Sequence, residues 1–226
     1  MADAKTREQL EAEWWQRWWA EDFSWAGLAE KLIGKNGATI HGGLHGEQSL
    51  QEYWRRDPAT GAVRDDTAMR AAGELAECDG VAFHIAHLPP KSKASAATWK
   101  SDLKHKHWGA LEALLAPRLS AIADTKIDES GGFAGPDGRT QLGGCILRGA
   151  ISHKPGDASP LYCNAMHAAT LGDADYSNRQ FGPHGANFEG ALFAGSVHFS
   201  RANFNTGGRF AGANFNGDAN FFSAVF

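Results

Sequence analysis

No stretch of this 226-residue chain approaches the roughly eighteen consecutive apolar residues that a membrane-spanning helix needs. The opening segment "MADAKTREQLEAEWW" also has neither the basic start nor the apolar run of an export signal, so a cytoplasmic location and no membrane partner are expected. Cysteine is scarce. Cys78, Cys145 and Cys163 are odd in number and form no CxxC pair, which argues against both a disulfide framework and a thiolate metal knuckle. Charge of one sign is missing as well: a net charge of -4 offers no field that would attract nucleic acid, and none is expected as a partner. No GxxxxGK[ST], GxSxG or HExxH pattern occurs. No catalytic, cofactor-binding or metal-ligating residue is therefore assigned, and the chain reads as noncatalytic.

What is abundant is phenylalanine at a regular interval. Phe188, Phe193, Phe199, Phe204, Phe210, Phe215, Phe221 and Phe226 follow one another in alternating steps of five and six. An overwound α-helix has a period near eleven, but residues 186–226 contain six Gly and six Asn, a load of poor helix formers that rejects it. A continuous strand fails too, because its side chains alternate and steps of five would throw successive rings to opposite faces. The pattern fits a chain that turns after every short extended piece, with Asn and Gly supplying the turns. Two residues before each ring stands a smaller one: Ala186, Ala191, Val197, Ala202, Gly208, Ala213, Ala219 and Ala224. Positions two apart in an extended segment share a side, so small and large would fill one interior together.

Counting back by fives extends the array to Phe181, Tyr176, Leu171, Met166 and Leu161, with Asn164, Ala169 and Ala174 as small partners and "GPHG" bulging outward before Phe188. Leu142 and Leu147 add an earlier pair, separated from the rest by a loop, "SHKPGDASP". A repeat domain is thus expected over 141–226, preceded by a linker or capping loop over 126–140.

"ANFEG", "ANFNT" and "ANFNG" resemble the A(D/N)LXX motif of the pentapeptide-repeat proteins, in the Phe-rich form with one added corner residue every second face. The resemblance implies a right-handed quadrilateral β-helix, the central and preceding small residues inward and the other positions facing solvent. Some members of that family bind type II topoisomerases as mimics of duplex DNA, which gives an alternative function. Against it, Glu189 and Asp218 are balanced by Arg201 and Arg209 from Ala186 onward.

Residues 1–125 read as a small, mostly helical domain, so the fold class is mixed. Thr6 and Gln9 form a capping box for a helix over "REQLEAEWWQRWWA", whose Leu10, Trp14, Trp15, Trp18 and Trp19 make one apolar arc that needs a partner. A second helix is expected over Ser24–Ile33, a third over "DDTAMRAAGELAE" with Met69, Ala72, Leu75 and Ala76 inward, and a fourth over "SDLKHKHWGALEALLAPRLSAIA". "GVAFHIAHL" alternates as a strand with Val81, Phe83 and Ile85 on one side, stopped by Pro89 and Pro90.

Three histidine pairs raise a metal-dependent enzyme as a further alternative: His41 with His45, His84 with His87, and His105 with His107. Residues three apart on a strand face opposite sides and residues two apart on a helix do not meet, so only the loop pair is placed to share an ion. The leading expectation is a structural or protein-interaction protein whose rigid surface meets an unknown protein partner. Phe226 begins a face with nothing beyond it to act as a cap, so a truncated array or end-to-end pairing is expected, with self-association through the last coil.

Overall fold

The computed structural model describes residues 5–33, 39–41, 48–57, 60–89, 140–147, 161–204 and 207–226, with backbone alone at 33, 39–41, 48, 140–141, 161–163 and 182–185. The described residues form a mixed fold of few helices and several parallel sheets of short strands.

Helix α1, Arg7–Ala20, begins at the expected capping box: Thr6 accepts from the Gln9 N–H while the Gln9 side chain accepts from the Thr6 N–H. The stretch after it is not the helix expected over Ser24–Ile33. A single 3-10 turn, Gly27–Ala29, leads into strand β1, Lys31–Ile33, which pairs antiparallel with β2, Thr39–His41, and β3, Gln48–Ser49. Ser49 and Glu52 then form a second capping box at the head of α2, Leu50–Arg55. Helix α3, Asp66–Ala71, is capped by Asp65 and stops short of its expected end, because Gly73 takes a left-handed φ of 73° and redirects the chain. Leu75 and Ala76 therefore lie on strand β4, Leu75–Cys78, paired antiparallel with β5, Val81–His84. Val81 is exposed and Ile85 has left the strand for a 3-10 turn, Ile85–His87. The fourth helix and the 126–139 part of the linker lie outside the described residues.

From Thr140 onward strands are short pieces separated by corners, two residues each except Leu161–Asn164 and Phe181–Asn187. One parallel sheet contains β6 (Thr140–Gln141), β8 (Leu161–Asn164), β11 (Phe181–Asn187) and β14 (Gly208–Arg209). A second contains β7 (Ile146–Leu147), β9 (Ala169–Thr170), β12 (Leu192–Phe193) and β15 (Asn214–Phe215). A third contains β10 (Ala174–Asp175), β13 (Val197–His198) and β16 (Ala219–Asn220). A fourth row is marked by the parallel bridges Gln180 to Asn203 and Asn203 to Val225. Partners in the last two layers, such as Ala186 with Gly208, Leu192 with Asn214 and Val197 with Ala219, are 22 residues apart, and those of earlier layers, such as Ala174 with Val197 and Ile146 with Ala169, are 23 apart.

The alternation of five and six has a local cause. Within every described five-residue step, the carbonyl of the ring position accepts from the N–H three residues on, as in Phe188 to Ala191 and Phe199 to Ala202, and Phe204 does the same with Gly207 in a six-residue step. The residue two past the ring position is left-handed in the five-residue steps: Gly144, His167, Gly190 and Gly212 on one corner, Asn178, Arg201 and Ser223 on the opposite one. A positive φ at the third residue is the signature of a type II turn. Gly190 is additionally held to glycine by space, since a Cβ there would fall 2.5 Å from His167 Nδ1. At a six-residue corner the layers touch through backbone instead: a Cβ on Gly217 would lie 2.4 Å from the carbonyl carbon of Gly195, and one on Gly195 2.5 Å from that of Gly172.

Inside the layers the rings form four stacks. Tyr176, Phe199 and Phe221 stack at centroid distances of 5.1 and 5.0 Å, and Phe181, Phe204 and Phe226 at 4.7 and 4.8 Å. Phe188 lies 5.3 Å from Phe210, and Phe193 5.0 Å from Phe215. These distances match the spacing of hydrogen-bonded strands, so strand pairing and ring contact are satisfied by one repeat. Phe181, Phe188, Phe193, Phe199 and Phe204 are fully buried, and Phe210, Phe215 and Phe221 partly. Phe226 is 63% exposed although its ring joins a stack.

Two of the upstream positions require correction. The hydrogen-bond slot of Phe188 is occupied in earlier layers by Ala165 and Leu142, not by Met166, which is half-buried in a turn. Thr170 and Leu147 share the slot of Phe193, so Leu171, though buried, lies one residue past it. The six-residue step continues upstream, and counting in fives slips by one there. The extra length before Phe188 is absorbed in β11, where the register shifts between Phe181 and Ala186. The side chain of Leu161 lies outside the described residues; its backbone pairs with Phe181.

Candidate functional site

Two regions offer chemistry: the outward surfaces of the parallel sheets, and a buried polar cluster where the N-terminal segment meets the first layer. Position on a strand decides the first. Leu192 precedes the inward Phe193 and so faces outward, yet it is fully buried, as are its register partner Ala169 and Ile146 in the layer before. Helix α1 accounts for this. Trp14 donates its indole N–H to the Gly190 carbonyl at 2.6 Å, Arg7 donates to the Ala194 carbonyl, and Asn216 donates to Glu11, which is buried as a result. The tryptophan arc is thus spent on this sheet and on Phe83, while Leu10, expected within it, stays exposed. One core cluster runs from Trp14 through Phe204 without a break between the expected domains.

The third sheet is different. Asp175, His198 and Asn220 stand in register on β10, β13 and β16, and all three are exposed. The Asp173 carboxylate accepts from the Ser196 N–H at 2.8 Å, tying adjacent layers beside that row.

The buried cluster begins at Arg64, whose guanidinium grips Glu74 with two nitrogens, the second at 2.7 Å. Burial opposes ionisation of Glu74. His84 and the Arg64 fork outweigh it and hold the carboxyl down at about 2. His84 Nε2 is 3.7 Å from Glu74 Oε2, too far for a hydrogen bond, so its pull is electrostatic and Arg64 carries the bond. His84 is fully buried, its Nδ1 accepts from the Ala86 N–H at 3.1 Å, and its ring lies 4.5 Å from that of Trp54.

His87, expected to point away from His84, instead comes to 6.1 Å from it, ring to ring, because the 3-10 turn after His84 replaces strand alternation. His87 Nε2 donates to the Gly143 carbonyl at 3.0 Å and lies 3.7 Å from Cys145 Sγ. A carbonyl only accepts, so Nε2 carries the proton and Nδ1 holds the lone pair; that atom is buried with no hydrogen-bond partner among the described residues. Burial first, and His84 second, push the imidazole down to about 3, with the bond to Gly143 opposing. Phe23 stacks on His87, and Lys31 Nζ lies 4.8 Å from the centroid of the Phe23 ring. Lys31 is itself buried, which lowers its pKa against the pull of Glu21 and Asp22.

Among the described residues no group of three or more His, Cys, Asp or Glu is placed to hold a metal ion. The side chain of His41, and His45, His105 and His107 entirely, lie outside the described residues. No spacing in the sequence announces Arg64 with Glu74, which flank α3 and meet because the chain turns back at Gly73. Among the described residues no helix is long and apolar enough to cross a membrane. No protein family, curated protein or solved structure matches the chain.

Proposed function

We propose that the chain from about Gln141 onward is a right-handed quadrilateral β-helix of the pentapeptide-repeat kind, and that the protein is a noncatalytic interaction protein. The observation that carries the reading is the combination of a 22- to 23-residue parallel register, four ring stacks and an exposed row at Asp175, His198 and Asn220. A surface built this way is stiff. Each layer is hydrogen-bonded to its neighbours and its rings stack on theirs, so a partner meets it with little backbone ordering cost. Helix α1 covers one sheet and leaves the third free, which makes that row the docking surface in this reading.

Triple replacement Asp175→Lys, His198→Glu and Asn220→Lys tests it. A protein captured by the wild type from the source cell should be lost with the variant while the far-UV circular dichroism stays the same. Equal capture by both would contradict this surface, and a substrate turned over by the purified chain would contradict the noncatalytic reading. The DNA-mimic reading has less support, since Arg201 and Arg209 cancel Glu189 and Asp218 and leave the array without the single-sign field that such mimicry needs.

A further inference from the structure

We propose that the contact between the 3-10 turn Ile85–His87 and the Gly143–Cys145 corner is an acid-released latch, in which protonation of His87 releases that turn from the corner while α1 and the layers stay in place. Three geometric facts converge on His87. It is fully buried, it is joined to the first layer through the Gly143 carbonyl, and its remaining nitrogen has no hydrogen-bond partner among the described residues. A second proton at Nδ1 would therefore bury a cation without a matching acceptor.

The surroundings make that worse. The described groups facing the ring are the His84 imidazole on its own strand end, the Phe23 and Trp54 rings, and the Cys145 thiol. Lys31 on β1 adds like charge across Phe23. The carboxylate in the neighbourhood, Glu74, is gripped by Arg64 and reaches toward His84 rather than His87.

The direction of the pH effect follows from linkage. His87 is held down at about 3 when closed, whereas an open imidazole titrates at about 6.5. Above about 6.5 both forms are neutral and the latch is closed. Below it the open form takes a proton that the closed form refuses, so the closed-to-open ratio falls about tenfold per pH unit. Glu74, held at about 2, weakens only at lower pH than this window.

Cys145 reports the opening, since it is fully buried beside His87. The full chain would be labelled with 4,4′-dithiodipyridine between pH 7 and 4.5, and Cys145 followed by peptide mapping against a free thiol at each pH. Normalised labelling should rise about tenfold per unit below about pH 6.5, with unchanged far-UV circular dichroism. His87→Gln keeps an N–H donor for Gly143 and cannot titrate, so its labelling should stay flat. A flat wild-type profile, an equal slope in His87→Gln, or loss of the circular dichroism signal in step with labelling would each overturn the latch. Should His87→Gln not fold, amide hydrogen exchange of the wild type decides: Ile85–Leu88 must lose protection on acidification while Phe188–Phe204 keeps it, and joint loss refutes the proposal.

Discussion

Phe204 has no exposed surface, stacks on Phe181 at 4.7 Å and on Phe226 at 4.8 Å, and touches Phe199 and Phe210 at its edges. Replacing it with Ala removes the ring and leaves a cavity that flanking layers cannot close without breaking their own strand pairing. A loss of about 3–5 kcal/mol is expected, measured by chemical unfolding. Phe226→Ala removes a ring of the same stack that is 63% exposed, and should cost no more than about 1 kcal/mol. Equal losses at the two sites would show that burial does not govern this stack. The left-handed corners carry a second lesson. Asn and Gly alone were expected there, but His167, Arg201 and Ser223 adopt the same φ near +55°, so the turn is imposed by register where the local residue does not favour it.

Helix α1 is fixed to the layers by indole N–H groups. Trp18 donates to the Gly144 carbonyl at 2.9 Å in a buried setting, so Trp18→Phe should preserve most of the packing, leave that acceptor unsatisfied and cost about 1–3 kcal/mol. An unchanged unfolding midpoint would show that water or another group takes over the carbonyl. Glu74 gives the polar counterpart. Its folded pKa lies below the ordinary value of 4.5, so its contribution is complete above about 4.5 and is lost as pH falls toward 2. The wild type should therefore be more stable than Glu74→Gln at pH 7, with the gap shrinking through that window; a pH-independent gap would refute the pairing with Arg64.

These two elements also show what could be read in advance. The α1 capping box and the spacing of Phe188 to Phe226 are local signals; the box stands at Thr6 and Gln9, and Phe188, Phe193, Phe199 and Phe204 are buried while Phe226 is exposed. The same capping logic marks Ser49 and Glu52 at the head of α2, although that helix was not expected. Upstream of Phe181 the signal fades because Ala165 and Thr170 stand where rings would be, so nothing in the residue types fixes the six-residue step. The His84–His87 contact was illegible because it depends on a strand giving way to a 3-10 turn, and the Arg64–Glu74 fork because it joins residues on either side of α3 that meet only after the chain turns at Gly73.

The described residues combine parallel sheets of short strands with three helices and two small antiparallel sheets, and their buried apolar residues form one core. The proposed interaction role predicts no inhibition of DNA supercoiling by gyrase at micromolar protein, because the array carries balanced charge; inhibition would restore the mimic reading. The central claim is that successive layers hold a parallel register of 22 or 23 residues and present aligned residues outward. Paired cysteines test it directly. His198 and Asn220 are register partners on adjacent strands, whereas Asp175 and Asn220 are separated by a whole layer, roughly 10 Å at the usual strand spacing. A disulfide tolerates Cα separations only up to about 7 Å. Under mild oxidation His198→Cys with Asn220→Cys should form the bridge and Asp175→Cys with Asn220→Cys should not. A bridge in the second pair and none in the first would contradict the register on which the whole account stands.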